Sequence, residues 1–263
     1  MKRLIFLVLI LLIPSISFGG DIYEVKGYTP IAPYGVFSTF SAKSLQQGQL
    51  AIGPSFELLS ESDLKRLSLQ AAYGIKDNIE IGINIPYVIT DAEEGLEDLG
   101  AGIKYRFIDE GRYGPSVAAL FTATIPSGRH TYSTNSTDVG MGMLISKRVG
   151  PFNGNVNLIY TRVGKSGLKN ELLYTIGVEF AAARNLQLLG ELYGKKSRFS
   201  SDNNSLEARF GYRILTGNSV YTTIGLGFDL RNKNPEYRAM LSISFIYPPE
   251  KKKVIRIIEE GNR

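Results

Sequence analysis

The chain has 263 residues, no Cys, no Trp and a single His, His130. Without Cys there is no disulfide framework, no thiolate metal centre and no acylated lipoprotein Cys, and one His cannot build a His-based metal cluster. The net charge of +5 sits mostly at the ends: Lys2 and Arg3 at the start, and five basic against three acidic residues over 250–263, leave +1 for the body. That is no electrostatic footprint for nucleic acid.

Lys2 and Arg3 give a basic start, residues 4–13 an apolar stretch of ten, and Ser17 and Gly19 the small residues before a cleavage site. Residues 1–19 therefore read as an export signal. A membrane-spanning helix needs ~20 apolar residues, and Pro14 interrupts this stretch too early. No later run reaches that length; the uncharged run at 113–128 contains Thr122, Thr124 and Pro126. Residues 20–46 hold Tyr28, Pro30, Pro33, Tyr34, Phe37 and Phe40, too apolar for a solvated periplasmic tail. Two readings stay open for them: insertion into the interior of the fold as a partial plug, or pairing as a short extra strand.

From 47 to 247 the sequence breaks into twelve segments of alternating character, the mark of strands with two different faces. The clearest runs Ile79, Ile81, Ile83, Ile85, Tyr87, Ile89, interleaved with Glu80, Gly82, Asn84, Pro86 and Val88. Each segment has about ten residues or slightly more, the length a tilted strand needs to cross a bilayer. An even number returns both ends to one side. Tyr73, Tyr87, Tyr105, Phe107, Phe180, Tyr212 and Tyr247 lie near segment ends, as an interfacial aromatic girdle requires. Tight turns at 76–78, 183–185 and 216–219 alternate with longer polar loops at 90–98, 127–137, 164–170 and 196–204. This predicts an all-β fold: a transmembrane antiparallel β-barrel of about 12 strands over 47–247, its long loops extracellular, followed by a polar periplasmic tail over 248–263. A soluble exported β-sandwich would also alternate, but its solvated face would be crowded with Lys, Glu and Asp. Here that face carries small residues such as Gly100, Gly102, Gly140, Gly142, Gly225 and Gly227.

If the apolar face meets lipid, the other lines the lumen. Charged candidates there are Glu57, Arg66, Glu80, Lys104, Arg106, Arg148, Glu171, Glu179, Glu191, Lys195, Glu207, Arg209, Arg213, Asp229, Arg231 and Arg238. The acids gather on the segments of Glu171, Glu179, Glu191 and Glu207, and the bases on those that follow. Two roles are open: an ion-pair network bracing the wall, or a transverse field that sets ion selectivity. Tyr193 and Tyr221, with Val88, Leu120, Ile159, Leu173 and Leu189, add apolar lumen positions that suit either a track for an apolar or aromatic solute or contacts with an inserted segment.

Nothing points to catalysis, a cofactor or a metal. His130 sits in a loop near Ser127 and Ser133, where a nucleophile and base lack fixed geometry, and no G-x-S-x-G elbow exists. The acids Asp91, Glu93, Glu94, Glu97 and Asp98 lack EF-hand spacing and read as an ordinary surface loop. The last segment, ending at Phe245 and Tyr247, is similar to the C-terminal signal read by the outer-membrane assembly machinery, except that Pro248, Pro249 and a polar tail follow. Expected partners are outer-membrane lipid and lipopolysaccharide, that machinery and a small-molecule solute.

Four stretches carry a family resemblance: Leu45-Gln46-Gln47-Gly48-Gln49-Leu50, Ile83-Asn84-Ile85-Pro86-Tyr87, Leu99-Gly100-Ala101-Gly102-Ile103-Lys104-Tyr105-Arg106, and Ile125-Pro126-Ser127-Gly128 followed by Ser136-Thr137-Asp138-Val139-Gly140. Together they make the chain resemble the outer-membrane transporter family named for the MetA-pathway of phenol degradation, most closely from Gly48 to Gly150. Pro126-Ser127-Gly128 departs mildly from the Pro-Thr-Gly usual in that family. The resemblance implies a barrel that passes hydrophobic or aromatic compounds. The functional expectation is a passive outer-membrane channel for small solutes. Its rivals are a structural or adhesive barrel with an occluded lumen, and a soluble β-sandwich binding protein.

Overall fold

The structure, a computed structural model, describes residues 26–60, 64–91, 93–128, 133–198, 204–231 and 237–249. The expected export signal, His130 and all of the tail from residue 250 lie outside them. The strands are β1 Leu50–Leu59, β2 Lys65–Lys76, β3 Ile79–Ile89, β4 Glu94–Leu96, β5 Leu99–Ile108, β6 Ser116–Ile125, β7 Asp138–Val149, β8 Phe152–Arg162, β9 Glu171–Ala183, β10 Leu186–Lys196, β11 Ser205–Thr216, β12 Val220–Asp229 and β13 Tyr237–Tyr247. All but β4 form one antiparallel ring, closed where β1 pairs with both β2 and β13. The fold is a closed twelve-stranded barrel.

The faces are inverted relative to a soluble protein. On β7, Val139, Met141 and Met143 are 53%, 62% and 53% exposed, while Asp138, Leu144 and Ser146 are buried. Leu67, Leu69, Ile81, Ile83, Ile176, Phe210 and Leu226 are likewise exposed. A water-facing surface rarely carries contiguous apolar area beyond a few hundred Å²; a lipid-facing one must. Closure and this inversion together overturn the β-sandwich alternative.

One loop departs from expectation. Within residues 90–98, Asp91, Glu93 and Glu94 are exposed as an acidic surface loop would have them, but the last two acids are not. Thr90 N donates to Glu93 O at 2.9 Å, and the turn sends β4 back along β3. Glu97 and Asp98 are wholly buried. Arg66 Nε donates to Glu97 Oε2 at 2.7 Å and Arg66 Nη2 to Oε1 at 3.0 Å, a bidentate pair. Asp98 accepts the amides of Ser127, Gly128 and Thr134 at 3.3, 3.2 and 3.2 Å, which ties the next loop to this one. The two acids are inside because fixed donors wait for them there.

Residues 26–46 run through the interior rather than along the wall. The chain enters β1 by a turn: Gly48 takes φ +80, open to Gly at little cost, and its N donates to Gly74 O at 2.8 Å. Further in, Gly35 and Phe40 form an isolated antiparallel bridge. Inward glycines of the wall make room for this segment. A Cβ on Gly82 or Gly102 would overlap the Tyr28 ring, one on Gly225 would overlap Phe37, and one on Gly100 would overlap the Gly27 backbone. The glycines that marked the inner face are thus the sockets of residues 26–46. Replacing Gly102 by Val should unseat Tyr28 with the ladder intact. Overpacking of this kind costs ~1–3 kcal/mol, so we expect single-channel current to rise while heat-modifiable migration stays normal. Unchanged current would mean that Tyr28 relaxes in place.

The closing seam is less regular than its neighbours. Between β1 and β13 the register runs Leu50↔Tyr247 to Ile52↔Phe245 and resumes at Ser55↔Ser242. Gly53 and Pro54 have no registered partner there, and Gly53 lies so close to the Ile243 carbonyl that a Cβ would overlap it.

Candidate functional site

The interior is built from cross-strand charges. Register alone sets Glu57 opposite Arg66, Glu80 opposite Lys104 and Glu191 opposite Arg209. Arg209 Nη1 reaches Glu191 at 2.9 Å, its Nε donates to Glu207 at 2.8 Å, and its guanidinium lies 4.0 Å from the Tyr193 ring centre. Arg238 bridges Glu207 at 3.1 Å and Glu57 at 3.2 Å; Arg66 joins Glu57 at 3.6 Å and Glu97 at 2.7 Å. A belt of alternating sign therefore runs Glu191, Arg209, Glu207, Arg238, Glu57, Arg66, Glu97, across the seam. Toward the long-loop mouth, Arg198 holds Glu171 at 2.9 Å and Asp138 at 2.6 Å, with Lys195 on Glu171 at 3.2 Å. Toward the short-turn end, Lys104 pairs with Glu80 at 3.0 Å, and Arg213 stands 3.7 Å from Glu179, which also accepts from Asn153 and Asn155.

These contacts interleave acids and bases rather than segregating them, and buried ions persist only where they are paired in this way. The acid-rich and base-rich segments of the sequence cancel across neighbouring strands. Four residues fall at the rims instead of inside: Arg106 pairs with Asp109 at 2.7 Å, Arg148 is exposed beside Glu110, Arg231 is exposed, and half-buried Asp229 accepts the Arg231 amide at 2.8 Å. Tyr221 packs in a buried cluster with Ile31, Ala32, Ala51, Ala72 and Ile246.

Residues 26–46 are held by this lining. Glu191 Oε2 accepts Ser38 N, Thr39 N and Thr39 Oγ1, each at 2.8 Å. Asn157 accepts Phe40 N at 2.6 Å and donates to Phe40 O at 2.9 Å. Ser146 Oγ accepts Ala42 N, and Glu80 Oε2 accepts Leu45 N at 2.9 Å. Asn84 Nδ2 donates to Gly27 O at 2.7 Å, and Arg213 donates to the Pro33 and Gly35 carbonyls. Phe40 and Ala42 pack with Ala118, Leu120, Leu144 and Ile159. Of the apolar lumen positions, Leu120, Ile159, Leu173 and Tyr221 pack with this segment, whereas Val88 packs with Leu59 and Leu64 and Tyr193 lies against Arg209. Sequence reading missed Glu97, Asp138 and Arg198, because each lies at a strand end or in a loop where alternation carries no signal. Asn84 stood at an inward position of the clearest segment and was legible; Asn157 was not singled out.

At the short-turn rim, Glu110 ties the segment down: Lys43 Nζ lies 3.0 Å away, Lys147 Nζ 3.8 Å away, and Arg148 N donates at 2.6 Å. Partial burial pushes the Glu110 carboxyl up, but the Arg148 amide and the two lysines outweigh it and leave its pKa below the ordinary value. A depressed carboxylate stabilises the contact above its unfolded pKa and loses that contribution as pH falls through its folded one. Acidification to below the usual Glu range should therefore loosen Lys43, read as faster protease cleavage within residues 26–46. Glu110→Gln should be loose at neutral pH and lack the acid step; an unchanged acid step would place the titration elsewhere.

A family match covers residues 72–245, under the description MetA-pathway of phenol degradation. No curated protein matches the sequence. Among solved structures, the barrel is similar to an outer membrane channel from Pseudomonas putida F1, with TM-score 0.63, 13% identity, and cover of 84% of this chain and 100% of that one. It is also similar to the NanC porin, with TM-score 0.58, 13% identity and cover of 74% and 98%. The KdgM porin in complex with disordered oligogalacturonate gives TM-score 0.56, 9% identity and the same cover. At these identities the likeness is one of fold. The family match spans well over half of the chain, and with the lipid-facing closed barrel it leads to one conclusion: this protein belongs to the MetA-pathway of phenol degradation family and is an outer-membrane β-barrel with a channel fold.

Proposed function

We propose that the barrel is a passive channel for small solutes, with hydrophobic or aromatic ones as its cargo, and that residues 26–46 form a displaceable plug in its lumen. The observation that carries this reading is how the segment is held. Inward polar side chains, Glu191, Asn157, Glu80 and Arg213 among them, hydrogen-bond to its backbone. Water can take such bonds over, at a net ~1.5–3 kcal/mol each where the side chain is charged and ~0.5–1.5 kcal/mol where it is neutral. Its apolar contacts fall into two separate clusters, one around Ile31 and one around Phe40, rather than one continuous core. The cargo class rests on the family's description and on the aromatic and aliphatic side chains beside the plug, such as Tyr193, Ile159 and Leu173. The reading involves no catalysis. In the cell, lipopolysaccharide would surround the long-loop end, and β13 would present its aromatic face to the assembly machinery.

The second reading, a structural or adhesive barrel working through its loops, draws on the same occlusion of the lumen. Single-channel recording of the refolded mature protein separates the two. Discrete opening events support the channel. A bilayer that stays silent, with correctly folded protein and under every voltage applied, supports the structural barrel.

A further inference from the structure

Above the plug, toward the long-loop mouth, lies a cavity of about 90 Å³ that is partly open to solvent. One water needs ~10–15 Å³ of such space, so the cavity has room for several waters, which a small organic molecule can replace. Its lining is divided. One part is apolar: the Tyr28 and Phe40 rings, 5.3 Å apart, with Ile159, Leu173 and the Tyr193 ring. The other part is cationic: Lys26, Lys195, Arg198, Arg209 and Arg238.

The placement of the counter-charges decides what this cavity prefers. The five cations pair with Glu57, Asp138, Glu171, Glu191 and Glu207. Of those carboxylates only Glu171 lines the cavity. The network is close to neutral as a whole, yet it turns its cations toward the space and its carboxylates away. A cleft walled by one sign of charge concentrates the opposite ion. Arg198, Arg209 and Arg238 are each fixed to two carboxylates. The lysines carry compact ammonium charges on flexible stems, so they are the groups that can follow an incoming anion.

We propose that this cavity binds small organic acids with an aromatic or aliphatic body. The carboxylate meets Lys26 and Lys195, and the body lies on Tyr28, Phe40, Ile159, Leu173 and Tyr193. The proposal rests on the channel reading, because the cavity stands between the mouth and the plug. A neutral solute of the same shape gains the apolar wall without the ammonium groups. Lys26 belongs to the plug, so binding an acid there also loads the segment that must move.

Equilibrium dialysis of radiolabelled benzoate against the folded mature protein in detergent micelles tests this, with benzamide as the neutral probe and single-channel recording on the same preparation. We expect benzoate to bind about one per barrel and benzamide to bind about tenfold or more weakly, a difference of ~1.4 kcal/mol. Lys26→Gln with Lys195→Gln should erase the difference while heat-modifiable migration is kept. Lys26→Gln alone, which leaves every barrel strand untouched, should lower benzoate binding severalfold. Equal binding of the two probes, or a preference that survives both substitutions, overturns the site. Conducting protein that does not retain benzoate likewise overturns the site and leaves the channel standing. Retained benzoate in protein that never conducts supports the site and sinks the channel.

Discussion

Deleting residues 21–46 should turn a mostly closed barrel into an open pore, with unitary current rising severalfold or more. The deletion removes the only described segment that crosses the interior: Tyr28 from its Gly82 and Gly102 socket, Phe37 from Gly225, and Phe40 from Asn157. What remains is a ring of twelve strands, between the ~8 whose interior side chains fill and the ~16 that leave an aqueous channel. The wall keeps its ladder, and the belt of ion pairs keeps its wall-borne members. Among the described residues, the deletion takes Lys26 from Glu57 and Lys43 from Glu110. The truncated protein should therefore still show heat-modifiable migration, at a lower transition temperature. Current equal to that of the full chain, from a truncated barrel that folds, would show that something other than this segment closes the lumen.

Glu191→Ala should have the next largest effect. This carboxylate accepts three hydrogen bonds from Ser38 and Thr39 and holds Arg209 at 2.9 Å. Its loss strands buried donors on both sides, and breaking a buried pair by removing one partner costs ~3–5 kcal/mol. The wall shares the Arg209 part of that cost; the plug bears the rest. At ~1.4 kcal/mol per decade, half of the cost falling on the plug would raise its displaced fraction by at least tenfold. Recordings should show frequent openings of the size seen after truncation. Glu191→Gln, which keeps one acceptor, should lie between. If Glu191→Ala lowers the unfolding temperature but leaves the openings as rare as before, the carboxylate braces the wall and has no hold on the plug.

The strands were legible because a wall between lipid and lumen forces a period of two on every residue. The resemblance at Leu99-Gly100-Ala101-Gly102 was legible as well, but its meaning was not. Alternation marks Gly100 and Gly102 as inward without saying that Gly27 and Tyr28 rest on them. The hairpin at β4 was hidden, since three residues flanked by acids show no period, and only Arg66 on another strand draws Glu97 inside. Partners of single charges were hidden for the same reason. Glu191 meets Arg209 through a register that depends on where the β10–β11 loop turns. The two open readings for residues 20–46 were a fair limit of composition. Tyr28, Phe37 and Phe40 say that the segment is buried, while the polar side chains that catch its backbone belong to strands far along the chain.

The irregular seam bears on how the barrel is made and unmade. Every other long-strand pair joins neighbours in sequence or nearly so, but β1 and β13 join Leu50 to Tyr247. The entropy of closing so long a loop favours forming it after the hairpins have zipped up one by one. The strand that waits as an open edge is the one that carries Pro54, and a proline is tolerated on such an edge because it offers no amide to a wrong neighbour. With Gly53 and Pro54 unregistered against β13, the clasp carries fewer registered pairs than the β1–β2 and β12–β13 ladders beside it. Biogenesis would finish there.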